Sequence, residues 1–191
     1  MIEIYDNFLP QTYFDSLSDV VTSPDFSWGF FPNITAMNGK LDNNNSYGFS
    51  YTIFNSINKH DVQETRESWI TLPALFSIQE KVKCKTIVRA RYDLTTYNPS
   101  SYRHPYHIDM NYPSKFVSAI LYMNETDGNT LIYDKKVVNA DDIDYTKEYD
   151  IKESIDPVPN RLLVFDGHYI HTGHSPSKHK SRILLNSVYI N

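Results

Sequence analysis

The sequence is poor in cysteine and glycine, and it has no long apolar run. Cys84 is the single cysteine among 191 residues, and there are six glycines. One cysteine excludes an internal disulfide framework and a zinc site built from several thiolates, and it favours a reducing compartment, so we expect a cytoplasmic protein. No apolar segment reaches the length of a membrane-spanning helix, and the N-terminal MIEIYDNFLP lacks the pattern of a signal peptide.

An excess of positive charge is also missing. Lys and Arg total 18 against 23 for Asp and Glu, which gives a formal net charge of −5. Duplex nucleic acid is normally bound by a basic surface, so a nucleic acid is a disfavoured partner, although a small one bound in a cleft is not excluded. We expect a small-molecule or peptide substrate and no membrane contact, and the sequence leaves the oligomeric state open.

Aromatic residues are plentiful, with 15 Tyr and 10 Phe, a composition that favours strands. Residues 2–8 (IEIYDNF) and 49–54 (FSYTIF) read as strands, and the polar stretch MNGKLDNNNSYG at 37–48 reads as a loop. A helix is predicted over residues 10–21, opened by a proline and carrying apolar residues at helical spacing. A second helix fits residues 67–83, with a break or a later start predicted at Pro73.

From residue 84 onward the sequence predicts mainly strands. Seven short runs are separated by turn residues: KTIVRARYDLTTY, YHIDM, FVSAILYMN, NTLIYD, KEYDIKE, RLLVFDG and RILLNSVYI. Short strands without intervening helices indicate a sandwich or barrel. The predicted fold class is therefore α+β, mainly β: one domain over 1–191, in which 1–83 supplies buttressing helices and strands and 84–191 forms a cupin-like jelly roll, or double-stranded β-helix.

The pair His107 and Asp109 is the first candidate for chemistry. On a strand, residues two apart point to the same side, so an imidazole and a carboxylate would converge there. The alternative is a solvated polar pair in a loop. A third metal ligand must come from elsewhere, and the segment RLLVFDGHYIHTGHSP offers His168, His171 and His174. Neighbouring glycines and a proline argue against a helix that would align all three, so we expect at most one to join the pair.

Arg182 is the second candidate. It lies eleven residues after His171 on a predicted strand where Arg182, Leu184, Asn186 and Val188 share a face. A guanidinium on an apolar inner face is costly unless it meets an anion, and a dicarboxylate would suit it. A structural ion pair with Asp166 or Asp109 is the alternative.

These residues resemble the pattern of the 2-oxoglutarate/Fe(II)-dependent dioxygenases, in particular the prolyl 4-hydroxylase-like branch that includes small stand-alone bacterial and phage enzymes. The family pattern of His-x-Asp, then a distant His, then Arg about ten residues later maps onto His107, Asp109, His171 and Arg182. His171 is preferred to its two neighbours because VFDGHYIHTG is similar to the family's run around the second histidine. Two histidines and one carboxylate are the ligands of non-haem Fe(II) oxygenases.

Two further matches involve tyrosines. Tyr97 lies ten residues before His107, as a tyrosine does in prolyl hydroxylases, and AILYMNETDGNTLIYD is similar to the family's Tyr-Leu-Asn followed by Gly-Gly-x-Leu. The resemblance thus implies that Tyr97 and Tyr122 contact the cosubstrate and that Tyr122 assists Arg182. For either residue, a role as an ordinary core aromatic is the alternative. The chain departs from the pattern where DGNTL replaces the usual Gly-Gly.

The resemblance implies a hydroxylase that uses Fe(II), 2-oxoglutarate and O2, releases succinate and CO2, and accepts ascorbate as an optional reductant. A prolyl residue in a peptide is the first substrate to consider, while a free amino acid, another small molecule or an alkylated base would suit the same metal site. The alternative from another class is a non-catalytic cupin-like module that binds a metal or a sugar. A zinc hydrolase is disfavoured because no His-Glu-x-x-His is present.

Overall fold

The computed structural model describes residues 1–35, 46–56 and 65–191, and most of the loop predicted at 37–48 lies outside them. The described part contains two α-helices and ten strands. Their bounds are β1 Ile2–Tyr5, α1 Gln11–Thr22, β2 Gly29–Phe31, β3 Gly48–Asn55, α2 Arg66–Val82, β4 Thr86–Thr96, β5 Phe116–Tyr122, β6 Thr130–Lys136, β7 Ile151–Ile155, β8 Leu162–Asp166, β9 Tyr169–Gly173 and β10 Ser181–Ile190.

The strands form two antiparallel sheets. The major sheet has the order β1-β8-β5-β10-β4-β3-β2, and the minor sheet has the order β7-β6-β9. Their inner faces share one apolar cluster, in which Ile120 and Leu184 of the major sheet pack with Ile132 and Tyr169 of the minor sheet. Two facing antiparallel sheets of this kind make the jelly roll that the sequence predicts, and the mainly β fold class is confirmed.

The outer face of the major sheet packs on the helices. Phe14, Leu17 and Val21 of α1 are buried, as their spacing predicts, and they join the same core as Leu75 and Ile78 of α2. The strands contribute their outward-facing residues to this core, among them Ala90, Tyr92, Ala119, Leu121, Ile183 and Leu185. The helices therefore buttress one face of the sheet and leave the other face free to line a site.

The break predicted at Pro73 is wrong, because α2 runs continuously through it. Pro73 lies on the exposed side of the helix, where its ring and its missing N–H disturb the core least. Beside it, the Tyr13 hydroxyl accepts a hydrogen bond from the Ala74 N–H at 3.0 Å and donates one to the Ile70 carbonyl at 2.6 Å. The Tyr13 hydroxyl thus links the N–H of Ala74, which follows the proline, to the Ile70 carbonyl, its usual partner in an α-helix.

Local assignments near the site also differ from the prediction. YHIDM is not a strand: His107 makes only an isolated bridge, to His171. The strand that carries His171, β9, and the short β2 were not predicted. Among the described residues, no helix has the length and apolarity needed to cross a membrane.

Candidate metal centre and anion pocket

Backbone pairing brings the two histidines together. The N–H of each residue donates to the carbonyl of the other at 3.0 Å, which fixes His107 against β9 although its own segment is irregular. The ring centroids lie 4.3 Å apart. Asp109 follows two residues later, and the nearest ligand atoms of the three side chains all lie within 4.8 Å of one another. In the described part of the chain, this is the one cluster with the spacing of a metal site.

Both imidazoles are oriented by the same local contact. Nδ1 of His107 lies 3.2 Å from the Pro105 carbonyl and Nδ1 of His171 lies 3.0 Å from the Tyr169 carbonyl, so each Nδ1–H donates to a carbonyl two residues earlier. This bond selects the tautomer in which Nε2 carries a lone pair, and it is a usual arrangement for metal-binding histidines. His171 Nε2 is buried and has no hydrogen-bond partner among the described residues.

The protonation states also suit a cation. Burial, followed by the proximity of His171, lowers the pKa of His107 to about 3, so its imidazole is neutral. Burial acts to raise the pKa of Asp109, but His171, Arg89 and the Ser118 hydrogen bond outweigh burial and hold that pKa well below its usual value. The neutral imidazole of His107, the imidazole of His171 with its buried, unpartnered nitrogen and the carboxylate of Asp109 fit Fe(II), whose ligands in oxygenases are of this kind.

A dense set of hydrogen bonds holds the carboxylate of Asp109. Its Oδ1 accepts from Arg89 Nη2 at 2.7 Å and from Asn186 Nδ2 at 3.1 Å. Its Oδ2 accepts from Ser118 Oγ at 2.6 Å and lies 3.6 Å from His171 Nε2. Arg89 Nη1 also donates to the Asp109 backbone carbonyl at 2.9 Å. Oδ1 thus has two donors and Oδ2 has one, and Oδ2 is the oxygen that lies beside His171.

Arg182 projects from β10 into the same pocket. It is 6% exposed, and its Nε and Nη2 donate to the Gly128 carbonyl at 2.5 Å and to Thr130 Oγ1 at 2.8 Å. Neither acid considered as its partner is used: Asp109 pairs with Arg89, and Asp166 pairs with Lys136 at 2.7 Å. Among the described residues, no carboxylate forms an ion pair with Arg182.

Two glycines make room for this guanidinium. A Cβ at Gly173 would lie 3.2 Å from Arg182 Nη1, and a Cβ at Gly128 would lie 2.8 Å from Arg182 Cδ and 2.3 Å from the His174 carbonyl. Any larger residue at Gly128 would collide with the backbone. The close approach of these glycines therefore fixes the position of the Arg182 guanidinium.

A single pocket joins the histidine–aspartate cluster to Arg182. Its wall is formed mainly by inward-facing residues of β4, β5 and β10 opposite β9 and the segment that carries His107. The lining residues are Ile34, Thr35, Arg91, Asp93, Thr95, His104, His107, Asp109, Ile120, Thr130, His171, Thr172, Gly173, Arg182, Leu184 and Asn186.

The remaining predicted site residues lie in different environments. Tyr122 is fully buried, its ring centroid is 5.7 Å from the Arg182 guanidinium, and its hydroxyl lies 2.7 Å from Thr130 Oγ1. Tyr97 is 53% exposed and is not part of the pocket lining, so it is not brought to the site. His168 and His174 also lie outside the cluster, as expected when His171 was preferred to them.

Several polar residues of the pocket were not anticipated. Arg91 and Asp93 line the pocket from the inner face of β4, Arg89 on the same face holds Asp109, and His104 lies on the facing wall. The signal in the sequence is the alternation RARYD, in which three charged side chains occupy one face of a strand. Alternation alone does not distinguish a face that meets solvent from a face that lines a pocket.

No protein-family model matches this sequence, and no curated protein matches it. Solved structures do. A prolyl-4-hydroxylase from Pseudomonas putida matches with a TM-score of 0.60 and 15% identity, covering 100% of this chain and 92% of that one. A prolyl hydroxylase from Trichoplax adhaerens, in complex with a peptide fragment of hypoxia inducible factor, matches with a TM-score of 0.70 and 15% identity, covering 99% and 83%.

A third similar structure is an oxidoreductase of the 2OG-Fe(II) oxygenase family from Burkholderia pseudomallei, with a TM-score of 0.64 and 10% identity, covering 99% of this chain and 84% of that one. Each likeness extends over nearly the whole chain, including the helices before residue 84. The chain therefore has the fold of the 2-oxoglutarate/Fe(II) oxygenases, as the resemblance in its sequence implies.

Proposed function

We propose that the chain is an Fe(II)- and 2-oxoglutarate-dependent dioxygenase that hydroxylates an organic substrate and releases succinate and CO2. The observation that carries this proposal is the pocket in which a His-Asp-His cluster lies beside a buried arginine that has no acidic partner among the described residues. We further propose that residues 1–191 act as one domain of this kind, because the helices and the jelly roll share a core.

His107, Asp109 and His171 would hold the iron. The ligand atoms would be Nε2 of each imidazole, since each Nδ1 donates to a carbonyl, and Oδ2 of the carboxylate, which keeps a lone pair besides the one that accepts from Ser118. An iron held by these residues would supply, together with 2-oxoglutarate and O2, the oxidising chemistry that inserts oxygen into a C–H bond.

Arg182 would bind the distal carboxylate of 2-oxoglutarate. An ionised guanidinium that is 6% exposed requires an anion, and charge-assisted hydrogen bonds to a carboxylate are the strongest that this site could form. Thr130 Oγ1 accepts from Arg182 and, with Tyr122 as donor, from the Tyr122 hydroxyl. The hydroxyl hydrogen of Thr130 is then free for the carboxylate. Tyr122 thus supports the anchor through Thr130.

This arrangement supports an oxygenase over a non-catalytic cupin-like module. A module that only held a metal would need the three ligands, but it would have no use for a buried guanidinium in the same pocket. The likeness of fold to two prolyl hydroxylases makes a prolyl residue in a peptide the first substrate to test. We assign no residue to O2 or to ascorbate.

The test is the dependence of succinate formation on 2-oxoglutarate for the wild type and for Arg182→Met. Loss of the guanidinium should weaken 2-oxoglutarate binding by at least about thirtyfold, the equivalent of ~2 kcal/mol for one partner of a buried charge pair. Iron affinity should not change, since Arg182 does not contact the cluster ligands. Arg103→Met, which removes a half-exposed arginine paired with Glu148 outside the pocket, is the matched control. An unchanged 2-oxoglutarate requirement in Arg182→Met would remove this residue from the anchor.

A further inference from the structure

A second charged pair lines the pocket and is not used by the proposed metal or cosubstrate. Arg91 Nε donates to Asp93 Oδ2 at 3.0 Å, and both side chains face inward from β4. Asp93 is 9% exposed as a residue, and 23% of the Arg91 side chain is exposed. The pair therefore presents one negative and one positive group side by side within the pocket.

The strand register places this pair beside the reaction centre. Asp93 lies opposite Leu184, and Arg91 lies opposite Asn186, the residue that holds Asp109. Neighbouring strands are about 4.8 Å apart, so the pair is one strand removed from β10, which carries Arg182 and Asn186. Arg182 lies opposite Thr95, further along the same two strands. Asp93 therefore acts electrostatically on Arg182, but it forms its ion pair with Arg91.

The pair has unused hydrogen-bonding capacity. Asp93 Oδ1 is buried and has no partner among the described residues. Among the described residues, Arg91 donates a hydrogen bond through Nε alone. The four N–H groups of its two terminal nitrogens are therefore available to a ligand. Burial raises the pKa of Asp93 even though Arg91 and Arg89 act to lower it, so the carboxylate is poorly compensated. An unsatisfied buried carboxylate oxygen is costly, and a ligand that supplied a donor would remove that cost.

We propose that Arg91 and Asp93 bind the substrate, and that this substrate is a free α-amino acid whose ammonium meets Asp93 Oδ1 and whose carboxylate meets the Arg91 fork. The inference rests on the proposed oxygenase function and adds its substrate class. An ammonium and a carboxylate on one carbon match an aspartate and an arginine that already lie 3.0 Å apart. The side chain of the amino acid is then left to reach the neighbouring metal cluster.

Other occupants fit this pair less well. A prolyl residue inside a peptide offers a tertiary amide nitrogen without a proton and a neutral carbonyl, so it would leave the charge of Asp93 unsatisfied. 2-Oxoglutarate has no donor for Asp93, and Arg182 is available for its distal end. A metal ion would find one carboxylate beside an arginine, which repels it.

The test compares free amino acids with capped derivatives, and it needs no substitution. Each proteinogenic L-amino acid, proline included, and its N-acetyl amide would be titrated calorimetrically into the anaerobic Fe(II)/2-oxoglutarate complex of the wild type. Succinate formation in air would be measured with the same compounds. At least one free amino acid should bind and accelerate succinate formation, and its capped form should bind at least about tenfold more weakly, since capping removes both charges.

Variants then assign the effect to the pair. Asp93→Asn and Arg91→Gln should each weaken binding of that amino acid by about ten- to a hundredfold, because each leaves a buried charge unpaired in the complex. Their 2-oxoglutarate affinity should change by much less, because the hydrogen bonds of Arg182 to Gly128 and Thr130 are retained. Asp134→Asn and Arg103→Gln, which alter ion pairs outside the pocket, are the controls. The double variant Arg91→Gln/Asp93→Asn removes both charges together and covers the case in which a single variant fails to fold.

The outcomes separate this inference from the function on which it rests. If 2-oxoglutarate binds but no free amino acid does, or if a capped derivative binds as well as the free one, the amino-acid inference is wrong and the oxygenase proposal stands. Equal binding of the amino acid by the wild type and by the double variant also overturns the inference. If the Fe(II) protein binds no 2-oxoglutarate, the proposed function itself fails, and the substrate assignment fails with it.

Discussion

The two faces of β4 and β10 differ as sharply as the surface and core of a protein usually do, although they belong to the same strands. Toward the helices, Tyr92 and Leu185 are fully buried among apolar side chains. Toward the pocket, Arg91, Asp93 and Asn186 carry charge or polar groups into the interior. Since side chains alternate along a strand, one sequence builds both faces. The outer face stabilises the sheet, and the inner face uses that rigidity to hold costly polar groups in place.

The largest expected effect is on the inner face. His171→Ala should lower Fe(II) affinity by more than about a hundredfold, because even residues that only support a ligand cost up to that much. Folding without metal should be retained, since the apolar core between the major sheet and the helices does not include His171. The measurement is an anaerobic Fe(II) titration together with thermal unfolding. His179→Ala, which alters a histidine paired with Asp127 outside the cluster, should bind iron normally. Wild-type affinity in His171→Ala would contradict the site.

A substitution on the outer face should instead lower stability and leave metal binding unchanged. Leu185→Ala should lower the free energy of unfolding by about 2–5 kcal/mol, because it leaves a cavity in the core between the sheet and the helices. The neighbouring Asn186 side chain points to the pocket, so metal affinity of the folded protein should not change. Urea unfolding and an Fe(II) titration check the two parts. A large loss of iron affinity would show that the faces are not independent.

Arg89 tests how the inner face is held in position. Arg89→Lys keeps the charge, but one ammonium cannot replace a fork that reaches the Asp109 carboxylate, the Asp109 carbonyl and the Asn186 amide oxygen. Metal affinity should fall by about ten- to a hundredfold. The measurement is a Mn(II) titration followed by electron paramagnetic resonance. Affinity equal to that of the wild type would mean that Ser118 and Asn186 suffice to orient Asp109.

The smallest effect concerns pH. Burial, followed by Arg182 and His174, lowers the pKa of His104 from 6.5 to about 3. Between these values the unfolded chain binds a proton that the folded chain excludes, so stability must fall as pH falls through this window. One such group contributes at most about 1.4 kcal/mol per pH unit. Urea unfolding of metal-free protein at several pH values should give a shallower pH slope for His104→Gln than for the wild type. Equal slopes would contradict the neutral, buried assignment.

The sequence predicted which residues come together better than it predicted their local structure. His107 and Asp109 were expected to converge because they lay on a strand, yet the segment is irregular and the bridge from His107 to β9 places them. The resemblance depends on residue types at set spacings, which survive such a change. The local geometry depends on the pairing of His107 with His171. The residues next to His107 in the sequence do not reveal this distant partner.

Other features could not be predicted because they depend on distant partners. Pro73 reads as a helix breaker until Tyr13, sixty residues earlier, is seen to bridge the helix ladder beside it. In the sequence, the charged residues of β4 alternate as they do in a half-buried strand. Their side of the strand lines a pocket only because the second sheet faces it. Tyr97 keeps the family spacing, but the end of β4 leaves it exposed.

The central claim is that one pocket holds iron and 2-oxoglutarate together. The most direct measurement is the visible absorption spectrum of the anaerobic Fe(II) protein before and after addition of 2-oxoglutarate. We expect a weak charge-transfer band to appear on addition, because 2-oxoglutarate would bind the metal through two atoms. The band should saturate at one equivalent of 2-oxoglutarate. If iron is bound and no band appears, 2-oxoglutarate does not bind the metal, and the oxygenase assignment is contradicted.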